Sequence, residues 1–175
     1  MLIILEGPDH SGKTTLGLEL LQSLPSPRWT YHHNEPSKAK ADLVRYTDDL
    51  ITVASSQELR VIHDRVFHVS EQVYGRILRN NVYDRNNLLT QWDRLLNQGI
   101  ILVYCSATPL IEYSAQECLA RIPMHHGKLR HGYRDYMRTL EIQIPNTYSK
   151  SKFYEYNFQT MPLTQITDSI CYGLD

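Results

Sequence analysis

Cysteine is scarce in this sequence: Cys105, Cys118 and Cys171 are widely separated, odd in number, and nowhere form a C-x-x-C pair. That excludes the usual paired zinc and dithiol redox motifs. Cys105 lies in an apolar run and reads as a small core residue, and a reducing compartment, the cytoplasm, is expected. Long hydrophobic runs are missing too. Nothing approaches the roughly 20 apolar residues that cross a bilayer, so no membrane association is expected. The apolar start, Met1 to Leu5, is too short for a signal h-region and has no basic n-region. Positive charge is not in excess: the net charge is −1, which gives no sign of a nucleic-acid-binding stripe. The histidines His125, His126 and His131 lack cysteine or acidic neighbours at ligand spacing, so they suggest no metal site. There is no internal repeat, low-complexity tract or linker, and 175 residues suit one domain, residues 1–175.

What is present is an alternation of short apolar runs with amphipathic stretches. Residues 1–6 are apolar and stop at Gly7-Pro8, the pattern of a buried parallel strand. Over 12–24, Leu16, Leu20, Leu21 and Leu24 share one helical face, which Pro25 ends. Residues 28–33 are aromatic and β-favouring. A helical stretch from Pro36 has Leu43, Val44, Leu50 and Ile51 as its inner face. Residues 58–63 read as a strand ending at Asp64-Arg65, and the next helix aligns Val66, Val69, Val73 and Ile77. A helix over about 86–98 is closed by Gly99 at its C′ position, and 100–105 is the strongest strand. Thr108-Pro109 opens a helix running to about Ile122. Residues 124–134 are basic, contain glycine and show no period, which predicts a loop. A helix at about 135–143, a strand at about 153–158 and a helix at about 162–172 follow. Strands alternating with helices predict an α/β fold, with a parallel sheet covered on both faces.

The most specific motif is Gly7-Pro-Asp-His-Ser-Gly-Lys-Thr14, a G-x4-G-K-[ST] phosphate loop placed after a strand and opening a helix. Gly7 and Gly12 let successive backbone N–H groups turn inward as an anion nest, and the helix N-terminus adds partial positive charge. Lys13 is placed for the β- and γ-phosphates of a nucleoside triphosphate, and Thr14 offers its hydroxyl to Mg²⁺. Asp9, His10, Ser11 and Thr15 complete the cradle. Asp64, at the end of a strand beside the loop, is a second candidate for Mg²⁺, with a helix N-cap as its alternative role. Arg65 can clamp a phosphate with its planar fork or stand as a surface arginine. No Asn-Lys-x-Asp base-reading motif is present, and the chain is short for an ATPase motor.

Leu5-Glu-Gly-Pro-Asp-His-Ser-Gly-Lys-Thr-Thr15 resembles the Phe-Glu-Gly-x-Asp-x-x-Gly-Lys-Thr-Thr signature of thymidylate kinases and related deoxynucleoside kinases. Asn34-Glu35-Pro36 is similar to their Arg-Glu-Pro segment. Asp64-Arg65 with Ser70 and Tyr74-Gly75 resembles their Asp-Arg…Ser-x-x-Ala-Tyr-x-Gly stretch, with one residue extra. The resemblance implies a P-loop NTPase three-layer sandwich with a five-stranded parallel sheet and a short lid at about 121–134. It implies ATP as donor, Mg²⁺, a homodimer through the helices after Arg65 and after Asp84, and a role in nucleotide biosynthesis. The compactness suggests a streamlined, viral type of member. By the same resemblance Asp9 faces the acceptor sugar, with a turn-forming Asp as its alternative. Glu35 is a general base if the acceptor is a hydroxyl, and otherwise a strand-end cap. The lid offers Arg121, Lys128, Arg130 and Arg134, of which Arg130 and Arg134 are chosen as transition-state cations, because the P-loop slot that is basic in some relatives is His10 here. Ser70, Phe67 and Tyr74 are candidates for the acceptor pocket, with core packing the competing fate of the aromatics.

Two departures bear on the acceptor. Asn34 stands where the family has an arginine, and the short stretch from Pro36 to Asp64 has no evident Phe and Arg pair to read thymine. Three functions follow in order of preference: a deoxynucleoside monophosphate kinase, a deoxynucleoside kinase with Glu35 as base, and a nucleotide-binding regulatory module without an acceptor.

Overall fold

The computed structural model describes residues 1–24, 28–33, 41–107 and 123–173, the side chains of 123–126 excepted. Five strands, β1 (Leu2–Glu6), β2 (Trp29–His33), β3 (Arg60–Asp64), β4 (Ile101–Cys105) and β5 (Lys152–Tyr156), form one sheet in the order β2-β3-β1-β4-β5. Every pairing is parallel. β1 lies in the middle and all five of its residues are buried, which is why Leu2–Leu5 read as an unbroken apolar run.

Helices cover both faces. On one, Ile3, Leu5, Val103 and Cys105 pack against Leu16 and Leu20 of α1 (Lys13–Ser23). Ile166 and Ile170 of the final helix, α6 (Leu163–Tyr172), close the same cluster. On the other, Leu2, Ile4, Leu102 and Tyr104 meet Leu50 of α2 (Leu43–Ser55), Trp92 and Leu95 of α4 (Arg85–Leu96), and Tyr133 and Met137 of α5 (Pro123–Thr147). Val69 and Val73 of α3 (Phe67–Arg79) complete that layer. α3 is composite: α-helical Phe67–Ser70 and Arg76–Arg79 flank a π turn, Glu71–Gly75. A π turn takes up an extra residue without ending a helix, and it occurs in the stretch that has one residue more than the motif it resembles. Buried Glu71 fixes the turn, accepting from Arg79 and from the Tyr83 N–H (2.9 Å).

Several expectations are corrected. Residues 124–134 are helical, inside α5, not a loop. Leu129, Tyr133, Met137, Leu140 and Ile144 are buried at helical spacing, a stripe that the glycines obscure. Gly132 belongs there for packing, since a Cβ would collide with Ile77 Cδ1 of α3. Val44 is exposed, and Thr47 takes the inward position on α2. Gly99 does adopt a positive φ (83°), but two residues past the cap Asn97 and so one later than C′. Phe158 lies in a turn after β5, not in the strand. The helix expected over 108–122 lies outside the described residues, as do Asn34, Glu35 and Arg121.

Candidate active site

β1 delivers the chain to Gly7 and α1 takes it up at Lys13, leaving a tight loop at the C-terminal edge of the sheet. Gly7 (φ 147°) and Gly12 (φ 90°) both need glycine. A Cβ at Gly7 would strike the Cys105 carbonyl oxygen, and one at Gly12 would come within 2.9 Å of the Phe158 ring. Exposed His10 also has positive φ (62°), while Ser11 is buried and Thr14 and Thr15 sit in the first turn of α1. The N-cap of α1 is Gly12, which supplies no side-chain cap, so the first N–H groups of the helix face the loop as an anion site.

Lys13 is almost fully buried and curls into the loop. Its Nζ donates to the carbonyl oxygens of Gly7 (3.0 Å) and Pro8 (2.6 Å) and to Ser11 Oγ (3.4 Å). Burial, reinforced by the charge of Arg65, lowers its pKa. A buried ammonium held by neutral oxygens is short of negative charge, which a phosphate supplies.

β3 ends beside the loop at Asp64, buried at 1 % exposure. Its Oδ2 accepts from Tyr31 Oη (2.6 Å) and Thr14 Oγ1 (3.4 Å), with His33 Nδ1 3.4 Å away. Its Oδ1 is buried with no hydrogen-bond partner among the described residues. A carboxylate oxygen left free next to a threonine hydroxyl fits a hard cation such as Mg²⁺, so the residues present suit the ion that the motif implies. Tyr31 was not singled out from the sequence. Burial and the bond to Asp64 push its phenol pKa well up, so it remains a donor.

At Arg65 the backbone turns left-handed (φ 67°). The turn is held by Arg65 N–H on the Leu5 carbonyl (2.9 Å) and by the Arg65 carbonyl on His63 Nδ1 (2.8 Å). Burial lowers the His63 pKa to about 4, which keeps the ring neutral with its proton on Nδ1. The kink sends the Arg65 side chain over the loop, where Nη2 donates to Asp9 Oδ1 and lies 3.5 Å from the Gly7 carbonyl. The guanidinium sits 5.5 Å from the Tyr74 ring centre, a cation–π contact. Burial alone would raise the Asp9 carboxyl, but Arg65 outweighs it and holds the pKa below its usual value.

Below Arg65 lies Glu6, fully buried, accepting from the Val66 N–H (2.6 Å). Burial raises its pKa to about 7 against the opposing pull of Val66, Arg65 and Lys13. Glu6 Oε2, Arg65 Nε, Ser70 Oγ and Tyr74 Oη have no well-formed hydrogen bond among the described residues. Buried polar groups demand partners; of this set Arg65 reaches the loop at Asp9 and Gly7. Of the acceptor-pocket candidates, Tyr74 lies against the Arg65 guanidinium, one turn along the helix from Ser70. Phe67 packs with Leu43 and Leu88 in a separate cluster and edge-on to Tyr83, in the core.

A second wall comes from α5. A cavity of about 550 Å³ is lined by Pro8 and Ser106 on the loop side, Asn157 beyond β5, and Arg130, Arg134 and Arg138. Arg130 and Arg134 therefore face a space beside the phosphate loop, but from a helix. Arg138 was overlooked; its four-residue spacing from Arg134 is the signal that identifies it. No group of three or more potential ligands among the described residues forms another metal site.

No family model and no curated sequence matches the chain. Solved structures do. The YorR protein of Bacillus subtilis, in complex with phosphorylated GDP, superposes with a TM-score of 0.65 at 19 % identity, covering 99 % of this chain and 95 % of that one. Deoxyadenosine kinase of M. mycoides, with dCMP and dCDP bound, gives 0.53 at 16 % identity over 99 % and 98 %. Thymidylate kinase of Candida albicans gives 0.51 at 15 % over 97 % and 88 %. The chain has the fold of the P-loop nucleoside and nucleotide kinases. In this kinase fold the loop, Asp64 and Arg65 all stand at the carboxyl edge of the sheet, where α/β folds bind ligands. No helix among the described residues is long and apolar enough to cross a membrane.

Proposed function

We propose that the chain transfers the γ-phosphoryl group of ATP to a deoxynucleoside monophosphate. The observation that carries this reading is the divergence of two adjacent side chains. Asp64 turns to Thr14 on the donor side of the loop, and Arg65 turns across it to Asp9. One strand end thereby serves two sites, with a left-handed residue as the divider.

In this reading the N–H groups of Gly7–Thr14 and the Lys13 ammonium hold the donor phosphates. Thr14 and Asp64 Oδ1 would hold Mg²⁺, which when bound neutralises charge on the phosphate oxygens. Arg65 binds the acceptor phosphate through its guanidinium, and Asp9 accepts from the acceptor sugar. Ser70 and Tyr74 border that pocket. Arg130 and Arg134 meet the transferring group from α5, where charge spreads in the transition state. Little covalent work falls to side chains; rate comes from positioning and charge. A homodimer belongs to the same reading, supported by exposed Leu78 on α3 and Leu89 on α4; a monomer mass at micromolar concentration would contradict it.

A second reading, transfer to the 5′-hydroxyl of a deoxynucleoside with Glu35 as base, draws on Asn34, which removes an expected cation from the acceptor phosphate. ADP release with MgATP against paired deoxynucleosides and monophosphates separates the two. The first reading requires turnover with monophosphates; turnover with nucleosides alone replaces it by the second.

A further inference from the structure

Among the described residues Asp64 is held from one side. Three polar groups from two elements converge on its Oδ2, and none reaches Oδ1. The shortest of the three contacts is the Tyr31 hydroxyl at 2.6 Å. Tyr31 comes from β2, next to β3 in the sheet, and it pairs in register with Ile62.

Its seat is built by a different element. Gly17 lies in the interior of α1, where glycine costs about 1 kcal/mol relative to alanine. The reason for glycine there is spatial: a Cβ would collide with Tyr31 Cε2 and lie 2.9 Å from Cδ2. The ring thus rests against the bare backbone of α1, one helical turn beyond Thr14. Gly17, Tyr31 and Asp64 form a stack in which a missing side chain sets the ring and the ring's hydroxyl sets the carboxylate.

We infer that Tyr31, seated in the notch at Gly17, is a positioning residue for the metal site: it saturates Asp64 Oδ2 and so presents Oδ1 to the Mg²⁺ of the donor nucleotide. A carboxylate free to rotate offers either oxygen and loses orientation on binding; one fixed at Oδ2 is organised in advance, and the partners behind a ligand tune metal affinity by about 10- to 100-fold. The inference rests on the P-loop kinase reading of the site.

The test reads metal binding directly. Mn²⁺ is titrated into the ADP complex and followed by electron paramagnetic resonance, and ADP affinity is measured separately in EDTA. Tyr31→Phe is expected to weaken Mn²⁺ in the complex about tenfold while leaving metal-free ADP affinity unchanged. In an Asp64→Asn background the same change is expected to have no further effect. Gly17→Ala, which displaces the ring but keeps the hydroxyl, is expected to reproduce the loss. Unchanged Mn²⁺ affinity in folded Tyr31→Phe overturns the inference, as does a lower thermal midpoint with metal affinity intact. A Tyr31→Phe loss that persists in Asp64→Asn also overturns it. Wild-type protein that binds no ADP with or without metal overturns the kinase reading as well, and the absent nucleotide signal tells that outcome apart.

Discussion

Arg65 donates to Asp9 across the phosphate loop, joining the end of β3 to the middle of the P-loop. The pair explains why a carboxylate is tolerated inside a phosphate cradle: its charge is met by a guanidinium that is itself mostly buried. It also places Arg65 between two partners, with Nη2 on Asp9 and the guanidinium against the Tyr74 ring. Arg65→Lys is expected to lower kcat/KM for the acceptor by roughly 100-fold, because an ammonium cannot serve two partners in fixed geometry. KM for ATP should hardly change. Two-substrate kinetics check this, and an equal loss toward both substrates would contradict it.

Lys13 separates function from stability. Its ammonium is buried without a carboxylate partner in hydrogen-bond contact among the described residues, which costs the folded state free energy. Lys13→Met is expected to abolish phosphoryl transfer, by roughly 100-fold or more, while the thermal midpoint stays level or rises. A midpoint that falls by several degrees would show that the lysine is a structural tie.

Gly7 is the reverse case. The backbone there is left-handed and the space for a Cβ is filled by the Cys105 carbonyl. Gly7→Ala must move backbone, not a flexible side chain, and a loss of roughly 2–4 kcal/mol is expected in urea unfolding. Gly132→Ala, whose obstacle is the mobile end of Ile77, should cost less than half as much.

Glu6 gives a pH signature with a definite sign. Burial raises its folded pKa to about 7, above the ordinary carboxylate value, so between about pH 4.5 and 7 the folded chain holds a proton that the unfolded chain has released. That contribution therefore weakens as pH rises through this window and is constant above it. Burial lowers His63 to about 4 and His68 to about 3. There the unfolded chain holds the extra protons, and stability falls as pH drops below about 6.5. The two effects oppose each other in the wild type. Glu6→Gln removes the first: its stability relative to wild type should rise by about 3 kcal/mol at most from pH 4.5 to 7. A pH-independent difference in denaturant midpoints would contradict the assignment.

The sheet and most of its helices were legible because β1 and β4 are buried on both faces and α1 keeps a regular apolar stripe. The phosphate loop was legible because Gly7, Gly12 and Lys13 are each demanded by backbone geometry or charge. What escaped depended on contacts distant in sequence. Gly132 looked like a loop residue because its use is the close approach of α5 to α3. Tyr31 looked like an ordinary strand aromatic because its partner, Asp64, lies in another strand. The π turn leaves no pattern of side-chain type, since it is a shift of backbone hydrogen bonds. Phe67 and Tyr74 belong to the same helix, yet one enters the core and the other sits under Arg65.

The central claim is best tested by following the label from γ-³²P-ATP incubated with Mg²⁺ and a deoxynucleoside monophosphate. The account predicts radioactive deoxynucleoside diphosphate, formed by wild type and absent with Lys13→Met. Label recovered only as inorganic phosphate, with every monophosphate left intact, would contradict it.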